Sequence, residues 1–77
     1  MKRTGQERPR PWHSIPARPP LLRPAAVMRQ TGMGKTAIYK AIATGDFPPF
    51  IKIGGRASAL PQSWLDAFVE YRAGLSK

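Results

Sequence analysis

Four side chains set the chemical question: Lys35, Thr36, Tyr39 and Lys40. Laid out at about 100° per residue, the run from about Lys35 to Thr44 puts Thr36, Tyr39, Lys40 and Ala43 on one side. Ile38, Ala41 and Ile42 fall on the other, with Lys35 at the exposed N-terminal edge. The apolar side can pack. The opposite side is small, hydroxylated and basic, and it carries no acid. It offers ammonium and hydroxyl donors, which suit phosphate oxygens and base edges in a groove. The plainer reading of such a run is a solvated amphipathic helix, so the rest of the chain has to decide.

A second set of cations stands further on, in the stretch FIKIGGRASAL from Phe50 to Leu60. Ile51 and Ile53 alternate with Lys52 at the period of a half-buried strand. Gly54-Gly55 is a two-residue turn signal, because both positions can take positive φ. The return strand is expected over Arg56 to Leu60, with Ser58 and Leu60 on the side of Ile51 and Ile53. Lys52 then projects outward, Arg56 sits beside the tip, and Gly55 lets the backbone approach another surface closely. A hairpin with a glycine tip and flanking cations can rest on a sugar-phosphate backbone, as the wing of a winged helix-turn-helix does. It is equally a plain hairpin with solubilising charges.

Catalytic arrangements are missing by comparison. No nucleophile stands with a base, and Asp66 and Glu70, one helical turn apart, read as solvated helix support. Gly34-Lys35-Thr36 looks like the end of a phosphate-binding P-loop, but that loop needs a glycine at position 29, where Arg29 stands. With no cysteine and a single histidine, neither a disulfide framework nor a metal cluster is expected. The chain reads as a binding protein, not an enzyme, with no cofactor and no metal.

The elements that would position these groups follow in order. Pro24 suits the first turn of a short helix over Pro24 to Gln30. Val27 is its core residue, and Leu22 and Met33 bracket it. Thr31-Gly32 ends it, and a Gly-bearing turn over Thr31 to Gly34 leads into the second helix, stopped at Gly45. Short helix, turn and second helix make a helix-turn-helix. Phe47 is expected in the core, and Pro48-Pro49 force an extended path into the hairpin. A last helix is expected from Pro61 to Ala73, with Gly74 as its stop. Leu65, Phe68 and Val69 form its stripe, widened by Trp64, Tyr71 and Leu75. That widened patch either covers the hairpin and first helix or serves self-association on DNA.

Seventy-seven residues hold one small domain, near the lower limit for a self-sufficient core. Thirteen Lys and Arg against four Asp and Glu leave a net charge of +9, which suits a polyanionic partner. Residues 1–23 carry six cations against Glu7, residues 24–60 five against Asp46, and residues 61–77 are neutral. Residues 1–20 contain Pro9, Pro11, Pro16, Pro19 and Pro20 among arginines, so a disordered basic arm is expected there, followed by a domain over 21–77. The arm either draws on phosphates or reaches a minor groove, or is a plain tail. Trp12 is its candidate for docking on the domain. No apolar run reaches the length of a membrane span, and no apolar segment follows the basic start, so neither a span nor a signal peptide is expected. The expected setting is cytoplasmic.

The segment from Leu21 to Arg72 resembles the AlpA family of prophage transcriptional regulators and the related excisionase-like, MerR-type winged helix-turn-helix proteins. The matching pieces are Leu22-Arg23, the Thr31-Gly32 turn, Ile38-Tyr39, Gly45-Asp46-Phe47-Pro48, Ile51-Lys52-Ile53-Gly54, Arg56, and the Ser63 to Phe68 region. Three departures stand out. Gly34 replaces a Ser-like N-cap, Leu60 stands where a Trp is common, and Trp64 replaces an acid. The resemblance implies an α+β fold, a small winged helix-turn-helix of three short helices and a β-hairpin wing behind a disordered arm. It implies sequence-specific binding of double-stranded DNA. The role is regulation of prophage or mobile-element genes, or excision, in which the protein binds and bends DNA. Lys35, Thr36, Tyr39 and Lys40 would enter the major groove, and Lys52, Gly55 and Arg56 would hold the backbone. Homo-oligomeric or cooperative copies on DNA, and a recombinase partner, are the associations it suggests. Non-specific nucleic-acid binding, including RNA, and a protein-interaction adaptor stay open as rivals.

Overall fold

The computed structural model describes residues 10–75. Residues 1–9 of the expected arm lie outside them. A single 3₁₀ turn over Pro11–Ser14 comes first, then β1 (Leu21–Leu22), α1 (Pro24–Thr31), α2 (Lys35–Ala43), β2 (Ile51–Lys52), β3 (Ser58–Pro61) and α3 (Gln62–Leu75). The result is a small α+β, winged-helix-like arrangement of three helices and one antiparallel sheet ordered β1-β3-β2.

Local chemistry fixes the helix pair. Pro24 opens α1, where its missing N–H is not needed. Gly32 closes it at φ 73°, a left-handed conformation in which a Cβ is strained, and its N–H donates to the Met28 carbonyl at 2.8 Å. The Thr31 hydroxyl donates to the Val27 carbonyl at 2.8 Å and accepts from the Met33 N–H at 3.1 Å, so it stitches the turn from both sides. α2 starts after Gly34, which offers no side-chain cap. It ends in a Schellman arrangement: the Gly45 N–H donates to Ile42 and the Asp46 N–H to Ala41, with Gly45 at φ 84°.

The hairpin differs from its expected register. Ile51 faces Ala59 and Lys52 faces Ser58, and the Ile53 N–H donates to the Ala57 carbonyl at 2.9 Å. Three residues, 54–56, therefore make the loop instead of two, and neither Gly54 nor Gly55 takes a positive φ. One extra loop residue shifts the pairing by one, so Ala59, not Ser58 or Leu60, shares the face of Ile51. The physical reason lies in β1. Leu22 pairs with Leu60 and Leu21 with Pro61, and that third strand draws Leu60 fully inside.

The core gathers Val27, Ile38, Phe47, Leu60, Leu65 and Phe68. α3 is shifted from its expected bounds: Pro61 ends β3, and the helix runs through Gly74 to Leu75. Val69, expected in the stripe, is 51% exposed, and Ala67 is buried instead.

The largest departure is at the N-terminal side. Residues 10–15, expected in the disordered arm, are packed on the domain. Trp12 is 1% exposed, with its ring centroid 6.0 Å from Phe68 and 5.6 Å from Tyr71. The Trp64 indole N–H donates to the Ile15 carbonyl at 2.8 Å. Trp64 and Tyr71, in the aromatic width of α3, thus receive the chain's own N-terminal segment, here called the clasp, while Leu75 stays 59% exposed. Prolines do not prevent this, because an extended segment can bury one indole without forming a regular element.

Candidate nucleic-acid interface

α2 presents the face that its sequence periodicity predicts. Ile38 is 2% exposed and Ala41 and Ile42 are half-buried, while Lys35, Thr36, Lys40 and Ala43 are exposed. Tyr39 is 45% exposed. Its ring leans on Phe50, with centroids 5.7 Å apart and planes tilted by 40°. Phe50 immediately precedes β2, so this contact joins the exposed side of α2 to the root of the hairpin.

On the hairpin, Lys52, Gly54, Gly55 and Arg56 are all exposed, and Ile53 is 49% exposed at the loop. The two glycines are informative. A Cβ at Gly55 would meet nothing within 4 Å, and one at Gly54 only the Ala57 Cβ at 4.0 Å. Neither backbone needs glycine for its φ. The fold therefore tolerates side chains there, and their absence leaves bare N–H groups at the tip, which suits close approach to a phosphate-bearing backbone.

Cations line both elements, and Arg23 and Arg29 add two more exposed charges on and before α1. Between residues 24 and 60 the one acid is Asp46, just beyond α2. Its Oδ1 accepts from Arg10 Nη2 at 2.9 Å and its Oδ2 from the Thr44 hydroxyl at 3.3 Å. Arg10 is 8% exposed and lies 5.5 Å over the Tyr71 ring. Asp66 is engaged too, accepting from Gln62 Nε2 at 3.0 Å. No acid is interleaved with the exposed residues of α2 or the hairpin loop. Among the described residues, no group of three metal-ligating side chains occurs and no helix is long and apolar enough to cross a membrane.

Lys35, Thr36, Tyr39 and Lys40 thus share one exposed helix surface, and Lys52, Gly55 and Arg56 share one exposed hairpin end. Sequence reasoning missed Phe50 and the pair Arg10–Asp46. Phe50 carried a weak signal, an aromatic at the start of the strand pattern. The ion pair joins residues 36 apart, which no local pattern reveals.

The family model described as "Prophage CP4-57 regulatory protein (AlpA)" matches residues 20–72. No curated protein and no solved structure matches the chain. The matched segment runs from just before β1 into the last turns of α3, and so takes in both helices of the pair, the sheet and the hairpin while leaving out the clasp. On that match the chain belongs to the AlpA family of prophage regulatory proteins.

Proposed function

We propose that this protein is a sequence-specific double-stranded DNA-binding regulator of prophage or mobile-element genes, acting in the cytoplasm by binding and without catalysis. One observation carries the reading: an exposed, acid-free helix face is joined through Tyr39 and Phe50 to a hairpin whose glycine tip the fold itself does not require. α2 enters the major groove. Lys40 reads a guanine edge, Thr36 takes a phosphate or a thymine methyl, and Tyr39 and Lys35 take phosphates. Lys52, Arg56 and the Gly55 backbone hold the flanking sugar-phosphate chain. Copies bind side by side on DNA, with a recombinase as partner if the role is excision.

The test is a binding titration of the full chain against random duplex and against the DNA upstream of its own gene, at two salt concentrations. A chain beginning at Pro9 is run beside it, which keeps the clasp. Preference for the upstream duplex, retained by the shorter chain, supports reading by α2 and the hairpin. Salt-sensitive binding without preference, lost with residues 1–8, overturns it in favour of a general polyanion binder. A strong bend in the upstream duplex, seen by shifting the site along a fragment, moves the role toward an excisionase-type factor.

A further inference from the structure

We propose that Arg10 is a positioning residue for DNA binding, which neutralises Asp46 and ties the end of α2 to α3. The proposal rests on the DNA-binding reading given above. It concerns a residue outside the family-matched segment.

Asp46 is fixed to the recognition helix by its own backbone, whose N–H closes the last turn on Ala41 at 2.9 Å. A carboxylate at that end has the wrong sign twice. It adds to the negative pole of the helix dipole, and it repels phosphates along the flanks of the groove. Its side chain is 47% exposed, so burial does not silence it. Arg10 does. The guanidinium meets Oδ1 at 2.9 Å and lies over the Tyr71 ring, and the residue is buried. At 8% exposure it is not available to a phosphate itself. Its charge faces Asp46 and the Tyr71 ring inside the fold and is not one more surface cation.

The mechanical half of the role lies in the same contacts. Trp12, two residues on, fills the space against Phe68 and Tyr71. Trp12 and His13 face Ile42 and Ala43 across a cleft of about 320 Å³. The clasp therefore touches α3 with one side and borders the end of α2 with the other. α2 is nine residues long, about 13 Å at ~1.5 Å per residue. That exceeds the ~8 Å screening length at physiological salt, so Asp46 acts on phosphates near the C-terminal end of α2 and the effect grows as salt is lowered.

The test uses the full chain with Arg10→Gln, Asp46→Asn and the double variant. Each is titrated against the upstream and a scrambled duplex at low and physiological salt, with thermal melting of each protein alongside. Arg10→Gln is expected to weaken binding by about threefold to tenfold at low salt and by less at physiological salt, as screening of the uncovered Asp46 charge requires. Asp46→Asn keeps an acceptor for Arg10 and removes the negative charge. It is expected to bind at least as tightly as the unaltered protein even though its melting temperature falls. The double variant recovers the unaltered affinity. Two results overturn the proposal: Asp46→Asn weakening binding as Arg10→Gln does, which makes the pair merely structural, or the double variant binding as weakly as Arg10→Gln alone, which makes Arg10 a phosphate contact. Failure of the unaltered chain to bind the upstream duplex at all is a separate result and overturns the DNA-binding reading itself.

Discussion

In the proposed function, Lys40 and Gly55 separate reading from gripping. Lys40 is exposed on the face of α2 that carries no acid. If it donates to one guanine, Lys40→Ala loses about 1–3 kcal/mol of discrimination at a single base pair and little elsewhere. Titration against a set of singly substituted sites measures this, and uniform weakening on every duplex would move Lys40 to the backbone. Gly55 makes no demand on the fold, since a Cβ there meets nothing within 4 Å. Gly55→Ala should therefore leave thermal stability within about 0.5 kcal/mol. It should still weaken DNA binding, because a methyl holds the tip away from the phosphates. Unchanged affinity in a titration would return the hairpin to a solubilising role.

At the scale of elements, what could be read in advance was what depends on neighbours in the chain. Pro24, Thr31-Gly32 and Gly45 mark the ends of α1 and α2 because caps are set by residues within a turn of them. The buried face of α2 followed from periodicity alone. What could not be read depends on distant partners. The loop of the hairpin grew to three residues because Leu60 is claimed by Leu22, 38 positions away in sequence and paired across the sheet. Val69 turned outward and Ala67 inward because α3 has two neighbours, the domain on one side and the clasp on another. The exposed donors of the candidate interface were legible for the same reason as the caps. Phe50 and Asp46 were not, since their roles lie in contacts with Tyr39 and Arg10. The turn yields its own prediction. Gly32 sits at φ 73° with open space around it, so Gly32→Ala meets no clash but strains the backbone. A loss of about 1 kcal/mol in chemical denaturation is expected, and an equal loss for Gly34→Ala, whose φ is −79°, would contradict the conformational cause.

For the whole molecule, the clasp decides how large the folding unit is. A domain of this length has a stability of only about 4–12 kcal/mol. Burying an indole is a large part of that. Trp12→Ala is expected to cost about 3–5 kcal/mol, a large fraction of that stability. Urea titration followed by far-ultraviolet circular dichroism checks it, and an unchanged midpoint would place Trp12 outside the cooperative unit. The same view sorts the charge. Arg10 is spent inside, whereas Lys35, Lys40, Lys52 and Arg56 stand outside on two elements that Tyr39 and Phe50 hold together.

Synthesis runs from one end of the chain to the other, and the clasp is made well before its receptor. Ile15 and the Trp64 indole that holds it are 49 residues apart. At about 5–20 residues per second, Trp12 waits several seconds on the ribosome before α3 emerges to receive it. A stop codon anywhere ahead of α3 therefore does not yield a shorter regulator of reduced strength. It releases α1, α2 and the hairpin without Phe68 and Tyr71, the rings that Trp12 and Phe47 pack against, so mutations that end the chain early should behave as complete losses, in contrast to the graded effects of substitutions on the exposed face.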